Sequence, residues 1–522
     1  MEIVQDRALI VRTRDPSKIT EVIPKSAITK EVSFPSGKGY EVAVKWTLPN
    51  TKILRNLGFK KVPAPITRQY DWPGRYRPFD HQKETAAFLT LNQRAFCWNE
   101  QGLGKTMSVI WAADYLMRLG VIRRALVICP LSIMDSAWRA DLFKTVMRRK
   151  VDIAHGTKDK RVKVIESDAE FVIINYDGVE SVRKELALGG FDLIVLDEAN
   201  YIKTASTKRW KNINSLVMPH TWLWMLTGTP AAQSPVDAYG LAKMMNPKSV
   251  PQFIGLFRDR VMLKISAFKY IPRPEAQQVI HEVLQPAIRY TKDECLDLPE
   301  LLYSERDTPL TPQQEKYYKL LKSEMLIQVA SADITAFNAA VGMNKLLQIS
   351  SGAVYSDMGE VVEFDCKNKL DEMLEVVQES SHKVLIFCTF RHSIDLVQAF
   401  LLKHNITNEA IHGGVSAKRR AEIFADFQNS PDPHVLVIQP QSAAHGVTLT
   451  AANTIIWFGP VTSAEIWLQA NARVHRAGQR NPCLVVKLVS SDVERKLYKA
   501  LETRTLAQET LLDMYKGELN IA

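Results

Sequence analysis

Short apolar runs rich in β-branched residues recur along the chain, and each is followed by a segment with helical spacing. The first half holds AFCWN, ALVICP, FVIINY, FDLIVLDEA and WLWMLTGTP, and the second half holds KVLIFCTF, HVLVIQP, TIIWFG and LVVKLVS. Runs that are apolar on both faces are typical of parallel strands covered by helices on each side. The pattern therefore predicts an α/β protein in which two sets of strands form two lobes.

The segments around these two sets have other patterns. Residues 1–70 alternate between apolar and polar positions and are punctuated by Pro and Gly, which predicts a small β-containing module. Helical spacing dominates from about residue 238 to 370, where Thr311 and Pro312 are the predicted N-cap and first residue of a helix. The segment SDVERKLYKALETRTLAQETLLDMYK predicts one long amphipathic helix near the C-terminus. The predicted domains are the accessory module 1–70, a first lobe 71–285 with a helical insertion from about 238, a linker and helical protrusion 286–365, and a second lobe 366–522 that includes this last helix.

Length and composition narrow the class of protein. A chain of 522 residues is too long for one core and suits two or three domains. The apolar runs are shorter than the ~18 residues that span a bilayer, and the start lacks the apolar stretch of a signal peptide. We therefore expect no membrane association and a cytoplasmic location in a bacterial or phage-infected cell, or a nuclear one in a eukaryote.

The cysteines and the net charge narrow the class of protein only a little further. The cysteines form no C-x-x-C pair and mostly lie in apolar runs, which favours buried thiols in a reducing compartment over disulfides or zinc ligands. The net charge of +10, with basic clusters that are short, is compatible with a polyanionic partner but does not establish one.

The segment NEQGLGKT, residues 99–106, lies between an apolar strand and the helical pattern TMSVIWAADYL. Backbone N–H groups of a glycine-containing loop that opens onto a helix N-terminus form a concave anion site. Gly102 and Gly104 would let the backbone approach phosphates, Lys105 would reach the β and γ phosphates, and the Thr106 hydroxyl would hold Mg²⁺. A Gly-Lys-Thr string can arise by chance at the start of an ordinary helix, but the order strand, loop, helix favours an ATP site.

The segment FDLIVLDEANYIK places Asp197 and Glu198 at the carboxyl end of an apolar strand, where ligands bind in open α/β sheets. Asp197 would hold Mg²⁺, and Glu198 would orient and deprotonate the attacking water. An Asp-Glu pair after a strand can also be a solvated helix start. The distance along the chain from Lys105 is ordinary for the two motifs of a nucleotide hydrolase, which favours the catalytic interpretation.

The segment QANARVHRAGQ carries Arg473 and Arg476, whose spacing predicts that both lie on one helical face in the second lobe. Two arginines in that position suit arginine fingers, which stabilise charge on the γ-phosphate in the transition state. Taken alone, such a pair is also common on the surface of an exposed helix.

In order along the chain, these motifs resemble those of Swi/Snf-type members of helicase superfamily two. NEQGLGKT is similar to the family's D-E-M-G-L-G-K-T, whose first position is also not Gly, so Asn99 follows the family pattern. The segments VICPLSIMDSAW, DEAN, LTGTP, KVLIFCTF and HGVTLTAANTIIWFGP are similar to further motifs, and the resemblance covers about residues 76–501. GTPAAQSPVDAYGL and RVHRAGQ resemble the compact branch of HARP-like annealing helicases, and residues 1–70 are weakly similar to a reduced HARP-like module.

The resemblance implies two tandem RecA-like lobes with helical insertions, and ATP and Mg²⁺ as cofactors. Asn200 replaces the usual His of the DEAH motif, but an Asn can still donate and accept hydrogen bonds. Ala443 and Ala444 replace a Gly pair, while Gly446 is kept. We expect an active ATPase with the catalytic residues Lys105, Glu198, Arg473 and Arg476, the metal ligands Thr106 and Asp197, the nucleotide contacts Gln82, Gln101, Gly102, Leu103, Gly104, Lys105, Thr106 and Gly446, and the coupling residues Asn200, Thr227, Thr229 and Gln469.

The role of Gln82 as adenine reader, with Arg77 beside it, competes with plain packing of the RPF segment before the first strand.

The resemblance also implies a DNA duplex that lies across both lobes and is held through its phosphates. Hydroxyls and amides in loops suit phosphate and do not read bases, so binding is expected to tolerate any sequence and to depend steeply on salt. The implied contacts are Pro130, Ser132, Asn175, Tyr176, Lys203, Thr389, Arg391, Gln441 and Ser442, each of which taken alone is ordinary loop polarity.

The expected function is that of a monomeric ATP-dependent translocase on double-stranded DNA. Its expected outputs are fork regression, branch migration or annealing at branched DNA and at intermediates of repair, replication or recombination. One alternative is a helicase that separates strands of DNA or RNA. A second alternative, from another class, is a DNA-binding scaffold that does not hydrolyse ATP.

Overall fold

The computed structural model describes residues 1–35, 37–228, 231, 234–265, 270–295, 297–331, 336–355, 361–443 and 447–503. The chain divides into two units, each with its own core, and it passes between them several times. The first unit comprises Met1–Gly228, Tyr239–Val250 and His281–Tyr290, and the second comprises Thr229–Ala238, Pro251–Ile280 and Thr291–Ala522.

The N-terminal segment forms an antiparallel sheet whose strand order is β1-β2-β4-β3. Its strands are β1 (Glu2–Val4), β2 (Ala8–Thr13), β3 (Ala27–Phe34) and β4 (Gly37–Lys45), and the helices beside them are α1 (Ser17–Thr20) and α2 (Leu48–Asn56). Alternate residues Leu9 and Val11 pair with Val44 and Val42, and all four side chains are buried on one face. The β content predicted for this region is confirmed.

The first unit also contains a seven-stranded parallel sheet with the order β13-β5-β10-β9-β6-β8-β7. In the four strands β6, β8, β9 and β10 every residue is buried, because helices cover both faces of the sheet. The strands of this sheet are, in chain order, β5 (Arg94–Cys97), β6 (Ala125–Cys129), β7 (Val151–Ile153), β8 (Phe171–Asn175), β9 (Leu193–Asp197), β10 (Trp222–Leu226) and β13 (Ala287–Ile288). The antiparallel hairpin of β11 (Met262–Lys264) and β12 (Tyr270–Pro272), which lies between β10 and β13 in the chain, belongs to the second unit.

The helices of the same region follow the strands in alternation. Three short 3₁₀ helices, Leu131–Ile133, Ala199–Ile202 and Pro235–Asp237, and a π-helical turn, Met134–Arg139, interrupt that pattern. The α-helices from residue 66 to 283 are α3 (Ile66–Gln69), α4 (Asp80–Leu91), α5 (Lys105–Arg118), α6 (Ala140–Val146), α7 (Lys158–Ile165), α8 (Gly178–Ser181), α9 (Arg183–Leu188), α10 (Lys208–Asn214), α11 (Ala238–Met245), α12 (Ile254–Val261) and α13 (Ala276–Val283). Of these segments, α12, most of α13 and the 3₁₀ helix Pro235–Asp237 belong to the second unit.

The second unit contains a six-stranded parallel sheet with the order β14-β21-β20-β17-β19-β18. Its elements, together with a small hairpin, are α14 (Lys292–Cys295), β14 (Leu301–Asp307), α15 (Pro312–Ser331), α16 (Ala336–Ser350), β15 (Ala353–Tyr355), β16 (Val361–Glu363), α17 (Lys367–Glu379), β17 (Lys383–Phe387), α18 (Arg391–Lys403), β18 (Asn408–Ile411), α19 (Ala417–Asn429), β19 (Val435–Ile438), α20 (Pro440–Ala443), β20 (Ala452–Trp457), α21 (Ala464–Asn471), β21 (Cys483–Val489) and α22 (Asp492–Glu502). The two parallel sheets flanked by helices confirm the predicted α/β fold class.

The structure confirms the start of one predicted helix and describes only the first part of another. Helix α15 begins at Pro312, and the Thr311 hydroxyl accepts a hydrogen bond from the Gln314 backbone N–H while the Gln314 side chain accepts one from the Thr311 N–H. This reciprocal pair is a capping box, and it confirms Thr311 as the N-cap. The predicted C-terminal helix is present as α22, and its continuation at 504–522 lies outside the described residues.

Strand β14 lies in the range 286–365 that we predict to be linker and helical protrusion, yet it pairs with β21 along its whole length. Its sequence LLYSERD is half charged or polar, and its burial is partial because it is an edge strand. An edge strand is covered less fully than a central one, so it lacks the apolar run that marks the other strands. The domain borders themselves stay predictions.

Among the described residues, no helix combines the length and apolar character needed to cross a membrane.

A buried carboxylate ties the linker before α4 to the packing around α5. Asp114 on α5 accepts hydrogen bonds from the Tyr70 hydroxyl at 2.7 Å and from Arg149 Nε at 2.6 Å, and Arg118 Nε lies 2.8 Å away. Burial, followed by the neighbouring Asp114 carboxylate, raises the pKa of Tyr70 above its ordinary value. Two guanidinium groups therefore share one carboxylate that is itself shielded from water, and each also has a second partner, Glu170 for Arg149 and Asp71 for Arg118.

Replacement of Asp114 by Asn should lower the free energy of unfolding by about 2 kcal/mol, because it removes a buried acceptor of charged hydrogen bonds and leaves Arg149 and Arg118 with only Glu170 and Asp71 as counter-charges. Asp168→Asn is the matched control, because the Asp168 carboxylate is 78% exposed, and it should leave the unfolding midpoint nearly unchanged. Urea denaturation of the two variants beside the wild type measures the difference. Equal midpoints for the two variants would show that the Asp114 network contributes nothing to stability.

Candidate functional site

The loop between β5 and α5 has the backbone geometry of an anion-binding site. Gly102 and Gly104 adopt φ values of +90° and +69°, in the left-handed region that favours glycine. A Cβ added at Gly104 would also lie 2.0 Å from Gln82 Nε2, so a side chain there would displace the Gln82 amide from the loop. Lys105 and Thr106 begin helix α5 directly after this turn, and both side chains are partly accessible.

Asn99, which stands where the general phosphate-loop pattern has its first Gly, is fully buried and joins three segments. Its Nδ2 donates to the Thr85 hydroxyl on α4 at 2.8 Å, and its Oδ1 accepts from the backbone N–H of Tyr290 at 3.1 Å. Its backbone carbonyl accepts from Lys105 Nζ at 2.8 Å. A glycine at this position would lose both side-chain bonds, which explains in physical terms why this chain has Asn.

The Lys105 ammonium points back into its own loop. Besides the Asn99 carbonyl, it lies 3.4 Å from the Glu100 carbonyl oxygen. Both acceptors are neutral, and a phosphate oxygen is a stronger acceptor for an ammonium than a carbonyl is. The loop therefore holds the cation at the position from which it can transfer to an incoming phosphate.

Asp197 ends β9 and is held by donors from three directions. Trp138 Nε1 donates to Oδ2 at 2.8 Å, the Glu198 N–H donates to Oδ1 at 3.0 Å, and the Tyr176 hydroxyl donates to the Asp197 backbone carbonyl at 2.8 Å. Burial raises the pKa of Asp197, while the bond from Trp138, the charge of Lys105 and the Glu198 N–H oppose that rise. The residues predicted for phosphate and metal, Lys105 and Asp197, are thus close enough to interact electrostatically.

Glu198 has φ +53°, a left-handed conformation that is costly for a residue with a side chain. The chain turns at this point from β9 into the 3₁₀ helix that carries Asn200. Strained backbone of this kind is often found where a catalytic side chain must be aimed away from the strand direction. The coupling role of Asn200 stays a prediction.

Gln82 is buried against the phosphate loop and caps its own helix. Its Oε1 accepts from the Phe79 N–H at 2.9 Å, and its Nε2 lies 3.4 Å from the Gly104 carbonyl. The neighbouring His81 ring nitrogen lies 3.0 Å from the Leu103 carbonyl, and burial lowers the pKa of His81. These contacts position the loop, and the predicted reading of adenine by Gln82 stays a prediction.

The LTGTP segment lies against the same loop. The Thr227 backbone N–H donates to the Cys97 carbonyl at 3.2 Å, and a Cβ added at Gly228 would lie 3.1 Å from Gln101 Cγ. The structure therefore brings the beginning of the predicted coupling motif next to Gln101. Thr229 lies outside the described residues.

The two predicted arginine fingers belong to the second unit, and their local structure differs from the prediction. Helix α21 ends at Asn471, so Arg473 and Arg476 lie in the turn that follows and not on one helical face. The Arg473 carbonyl accepts a hydrogen bond from the Leu449 N–H, whereas in a continuing α-helix it would accept one from residue 477.

Both guanidinium groups nevertheless converge on one carbonyl. Arg473 Nη1 and Arg476 Nη1 lie 3.4 Å and 3.1 Å from the Val447 carbonyl oxygen, and Arg473 Nε donates to the Gln469 carbonyl at 2.9 Å. The buried Gln469 side chain in turn donates to Glu465. Gly446, predicted to contact nucleotide, and Ala444 lie outside the described residues.

The predicted nucleic-acid contacts of the first unit differ in exposure. Ser132 is exposed and Lys203 is partly accessible, whereas Pro130, Asn175 and Tyr176 are buried. Because the Tyr176 hydroxyl is engaged by the Asp197 carbonyl, this side chain supports the site from inside the sheet. Contact of these residues with phosphate stays a prediction.

The predicted contacts of the second unit follow its strands. The Thr389 hydroxyl donates to the Pro460 carbonyl at 3.2 Å, and Arg391 pairs with Asp395 at 2.9 Å on the exposed start of α18. Gln441 is exposed and Ser442 is partly accessible on α20. These residues also keep their proposed roles as predictions.

Sequence reasoning gave no individual role to Asn99, His81, Trp138 or Tyr290. Trp138 lies in a π-helical turn, a form of helix that is frequent at functional sites. A sequence signal existed for Asn99, since it is a polar residue that follows an apolar strand and precedes the glycine-containing loop. No local signal could have paired Tyr290 with Asn99, because 191 positions separate them.

Comparison with known proteins identifies the family. The SNF2-related domain matches residues 81–352, and the helicase conserved C-terminal domain matches residues 367–478. The chain is 25% identical over 466 residues to the chromodomain-helicase-DNA-binding protein 1-like of Danio rerio, covering 84% of this chain and 44% of that protein. It is 25% identical over 430 residues to an uncharacterized ATP-dependent helicase of Mycoplasma genitalium, covering 80% of this chain and 40% of that protein. The chain thus spans less than half the length of either relative.

A solved structure, the Sulfolobus solfataricus SWI2/SNF2 ATPase core in complex with dsDNA, is 22% identical and has a TM-score of 0.42, covering 86% of this chain and 96% of that one. The family matches confirm the predicted Swi/Snf-type family, while the HARP-like branch stays a prediction. Because the SNF2-related domain matches more than half of the 522 residues and the helicase C-terminal domain follows it, this protein belongs to the SNF2-related domain family.

Proposed function

We propose that this protein is an ATPase that uses ATP hydrolysis to move along double-stranded DNA. The observation that carries the proposal is the arrangement of the Lys105 ammonium, held on the Asn99 carbonyl, beside the buried carboxylate of Asp197. A glycine turn, a cation, a carboxylate and a hydroxyl are the groups that bind a magnesium–triphosphate complex.

The residues of the site fit Mg²⁺ and ATP. Asp197 and Thr106 would hold the metal ion, which would neutralise phosphate charge when bound. Lys105 would leave the Asn99 carbonyl for the phosphate oxygens, and the loop amides around Gly102 and Gly104 would donate to them. Glu198, aimed by its left-handed backbone, would orient the attacking water and accept its proton.

Arg473 and Arg476 are the proposed transition-state cations. Their guanidinium groups share the Val447 carbonyl, so the turn after α21 presents them as a pair. A guanidinium stabilises the charge that spreads over the γ-phosphate oxygens during transfer. Gln469 supports this pair, because its backbone carbonyl accepts from Arg473 Nε.

The distribution of charge supports nucleic acid as the partner. The net charge is not even along the chain, since residues 1–70 contain 13 Lys and Arg against 6 Asp and Glu, a net of +7 out of +10 for the whole protein. The cationic side chains of this module are exposed except for Lys52, which is partly buried over the Trp222 ring. Concentrated positive charge on a small sheet favours a polyanion over a neutral partner.

The finer function we propose is remodelling of branched DNA or of repair, replication and recombination intermediates by fork regression, branch migration or annealing. The resemblance to the HARP-like branch supports it, and the name of the Danio rerio relative includes DNA binding. The alternative activity is strand separation on DNA or RNA, and the non-enzymatic alternative is a DNA-binding scaffold. ATP and Mg²⁺ are the proposed cofactors, and a single chain is the proposed motor.

Lys105→Ala should abolish ATP hydrolysis in both the absence and the presence of DNA, because the substitution removes the cation that contacts the phosphates. Wild-type hydrolysis should rise on addition of duplex, forked or four-way DNA. Phosphate release measured with each DNA tests both expectations. If no DNA stimulates the wild type and Lys105→Ala matches it in rate, the protein is a scaffold and not a motor.

Trp138→Phe should raise the Mg²⁺ concentration for half-maximal ATP hydrolysis about 10-fold, because loss of a hydrogen bond that orients a metal ligand weakens metal affinity. Trp111→Phe is the matched control, since Trp111 is also fully buried but donates its N–H to the Pro73 carbonyl, away from Asp197. A magnesium titration of the ATPase separates the two variants. Equal shifts would mean that lost packing, and not the bond to Asp197, is responsible.

Translocation without strand separation should displace the third strand of a DNA triplex and leave a tailed duplex paired. Both assays use the same protein and ATP, with Lys105→Ala as the control without hydrolysis. Gel separation of the labelled strands measures the two products. Release of single strands from the tailed duplex at a rate similar to triplex displacement would favour the alternative of a strand-separating helicase.

A further inference from the structure

A cleft of about 300 Å³ lies beside the carboxyl edge of the first parallel sheet, next to the nucleotide site but separate from it. Its walls come from the segment after β8, from the 3₁₀ helix after Glu198 and from α10. The side chains that matter to its chemistry are Tyr176, Asp177, Glu180, Tyr201, Lys208 and Arg209.

Arg209 is the cation best placed to bind a ligand there. Its Nη2 donates to Asp177 Oδ1 at 2.5 Å, its Nη1 lies 3.5 Å from the Tyr201 carbonyl oxygen, and its guanidinium carbon lies 5.5 Å from the centre of the Tyr201 ring. Within the described part of the chain, its Nε has no hydrogen-bond partner. Arginine presents its donors as a planar fork that fits two oxygens of one phosphate.

Another anion can replace the Asp177 carboxylate that pairs with Arg209. The Asp177 side chain is 77% exposed and that of Arg209 is 34% exposed, and ion pairs in contact with water contribute little to stability. A phosphate that reaches this guanidinium can therefore take the place of the carboxylate without stranding a buried charge.

The charges around the cleft also indicate which phosphate it can take. Lys208 attracts an anion, but the carboxylates of Asp177 and Glu180 repel it, so a small free anion gains little there. A phosphate within a nucleic-acid backbone is already held near by contacts elsewhere, which gives it a high effective concentration at the cleft. Duplex DNA, the proposed partner, supplies phosphates in this form.

Contacts run from the cleft to the predicted metal ligand. The Tyr201 ring stacks on the Tyr176 ring with centroids 5.1 Å apart and planes 11° apart, and the Tyr176 hydroxyl donates to the Asp197 carbonyl. Arg209 covers the Tyr201 ring, so a change of its partner alters the packing of that ring. A change in the packing of the Tyr201 ring can therefore reach Asp197 through side chains in direct contact.

We propose that Arg209 exchanges Asp177 for a backbone phosphate of duplex DNA, and that Tyr201 and Tyr176 carry this change to Asp197. This inference rests on the proposed function, since it concerns the way in which DNA stimulates ATP hydrolysis. It assigns to Arg209, Asp177 and Tyr201 roles in sensing DNA, with Arg209 as the residue that contacts the phosphate.

The first test compares Arg209→Ala with Lys211→Ala, which removes one positive charge from the same helix at an exposed position outside the cleft. Anisotropy of a labelled duplex, measured over a range of salt, reports affinity. Arg209→Ala should weaken binding and reduce the slope of log affinity against log salt by about 0.9, the value for one lost phosphate contact, while Lys211→Ala changes it less. Equal effects of the two variants would overturn the proposal.

The Asp177→Asn variant should change the affinity for duplex DNA in the opposite direction to Arg209→Ala. It removes the competing carboxylate, so duplex affinity should rise, whereas a merely structural Arg209–Asp177 pair would make both variants weaker. Loss of affinity in Asp177→Asn to the extent seen in Arg209→Ala would overturn the exchange.

The transmission is tested by combining Arg209→Ala with Tyr201→Ala. If the two residues act in one chain of contacts, the double variant should lose no more DNA stimulation of the ATPase than the stronger single variant. Fully additive losses would overturn the transmission through Tyr201.

Two controls separate this inference from the proposed function. An absence of DNA stimulation in the wild type contradicts the proposed function itself, whereas wild-type stimulation with equal Arg209→Ala and Lys211→Ala variants contradicts only the inference. Inorganic phosphate at matched ionic strength should give no rise in Tm that depends on Arg209. Such a rise would assign the cleft to free phosphate and overturn its assignment to DNA.

Discussion

The Asp197 carboxyl group is buried in the first unit, and burial raises its pKa, while three neighbouring groups that favour the ionised form oppose that rise. Burial favours the neutral acid, and the groups that favour the ion come from the neighbouring residue and from two other segments of the fold. The indole of Trp138 comes from the π-helical turn after β6, the Glu198 N–H from the next residue, and the positive charge from Lys105 after β5. A parallel sheet brings these sources together because its strands all end at one edge.

The same edge explains why polar residues with structural and chemical roles are mixed there. Asn99 follows the strand that leads to the phosphate loop, and its amide joins α4 to the segment that follows β13. Tyr176 follows β8, and it connects the Asp197 carbonyl to the ring of Tyr201. Residues of this kind fix the geometry of the groups that are proposed to meet a ligand.

The second unit also buries ionisable side chains in its interior. Lys369 on α17 and Glu494 on α22 form an ion pair with Nζ and Oε1 2.8 Å apart, and their side chains are 2% and 0% exposed. Glu494 also accepts from the Ser490 N–H, so the carboxylate has a second donor. A buried pair of this kind contributes little net stability but penalises any packing that separates its members. It therefore specifies how α17 and α22 pack beside β21.

The amino-acid sequence by itself determined the features that depend on neighbouring residues. Apolar runs gave the parallel strands, Thr311 and Gln314 gave a helix cap, and the string NEQGLGKT gave the loop with glycines at positive φ. The tertiary structure alone decided the place of β14 at a sheet edge, the turn that carries Arg473 and Arg476, and the partners of Asn99 and Asp197. The hydrogen bonds of Asp197 with Trp138 and of Asn99 with Tyr290 join residues that are 59 and 191 positions apart in the chain, respectively. No local pattern in the sequence encodes such pairs. Propensity and periodicity act over a few residues, whereas the cost of burying a polar group is met by whichever distant segment the fold brings within reach.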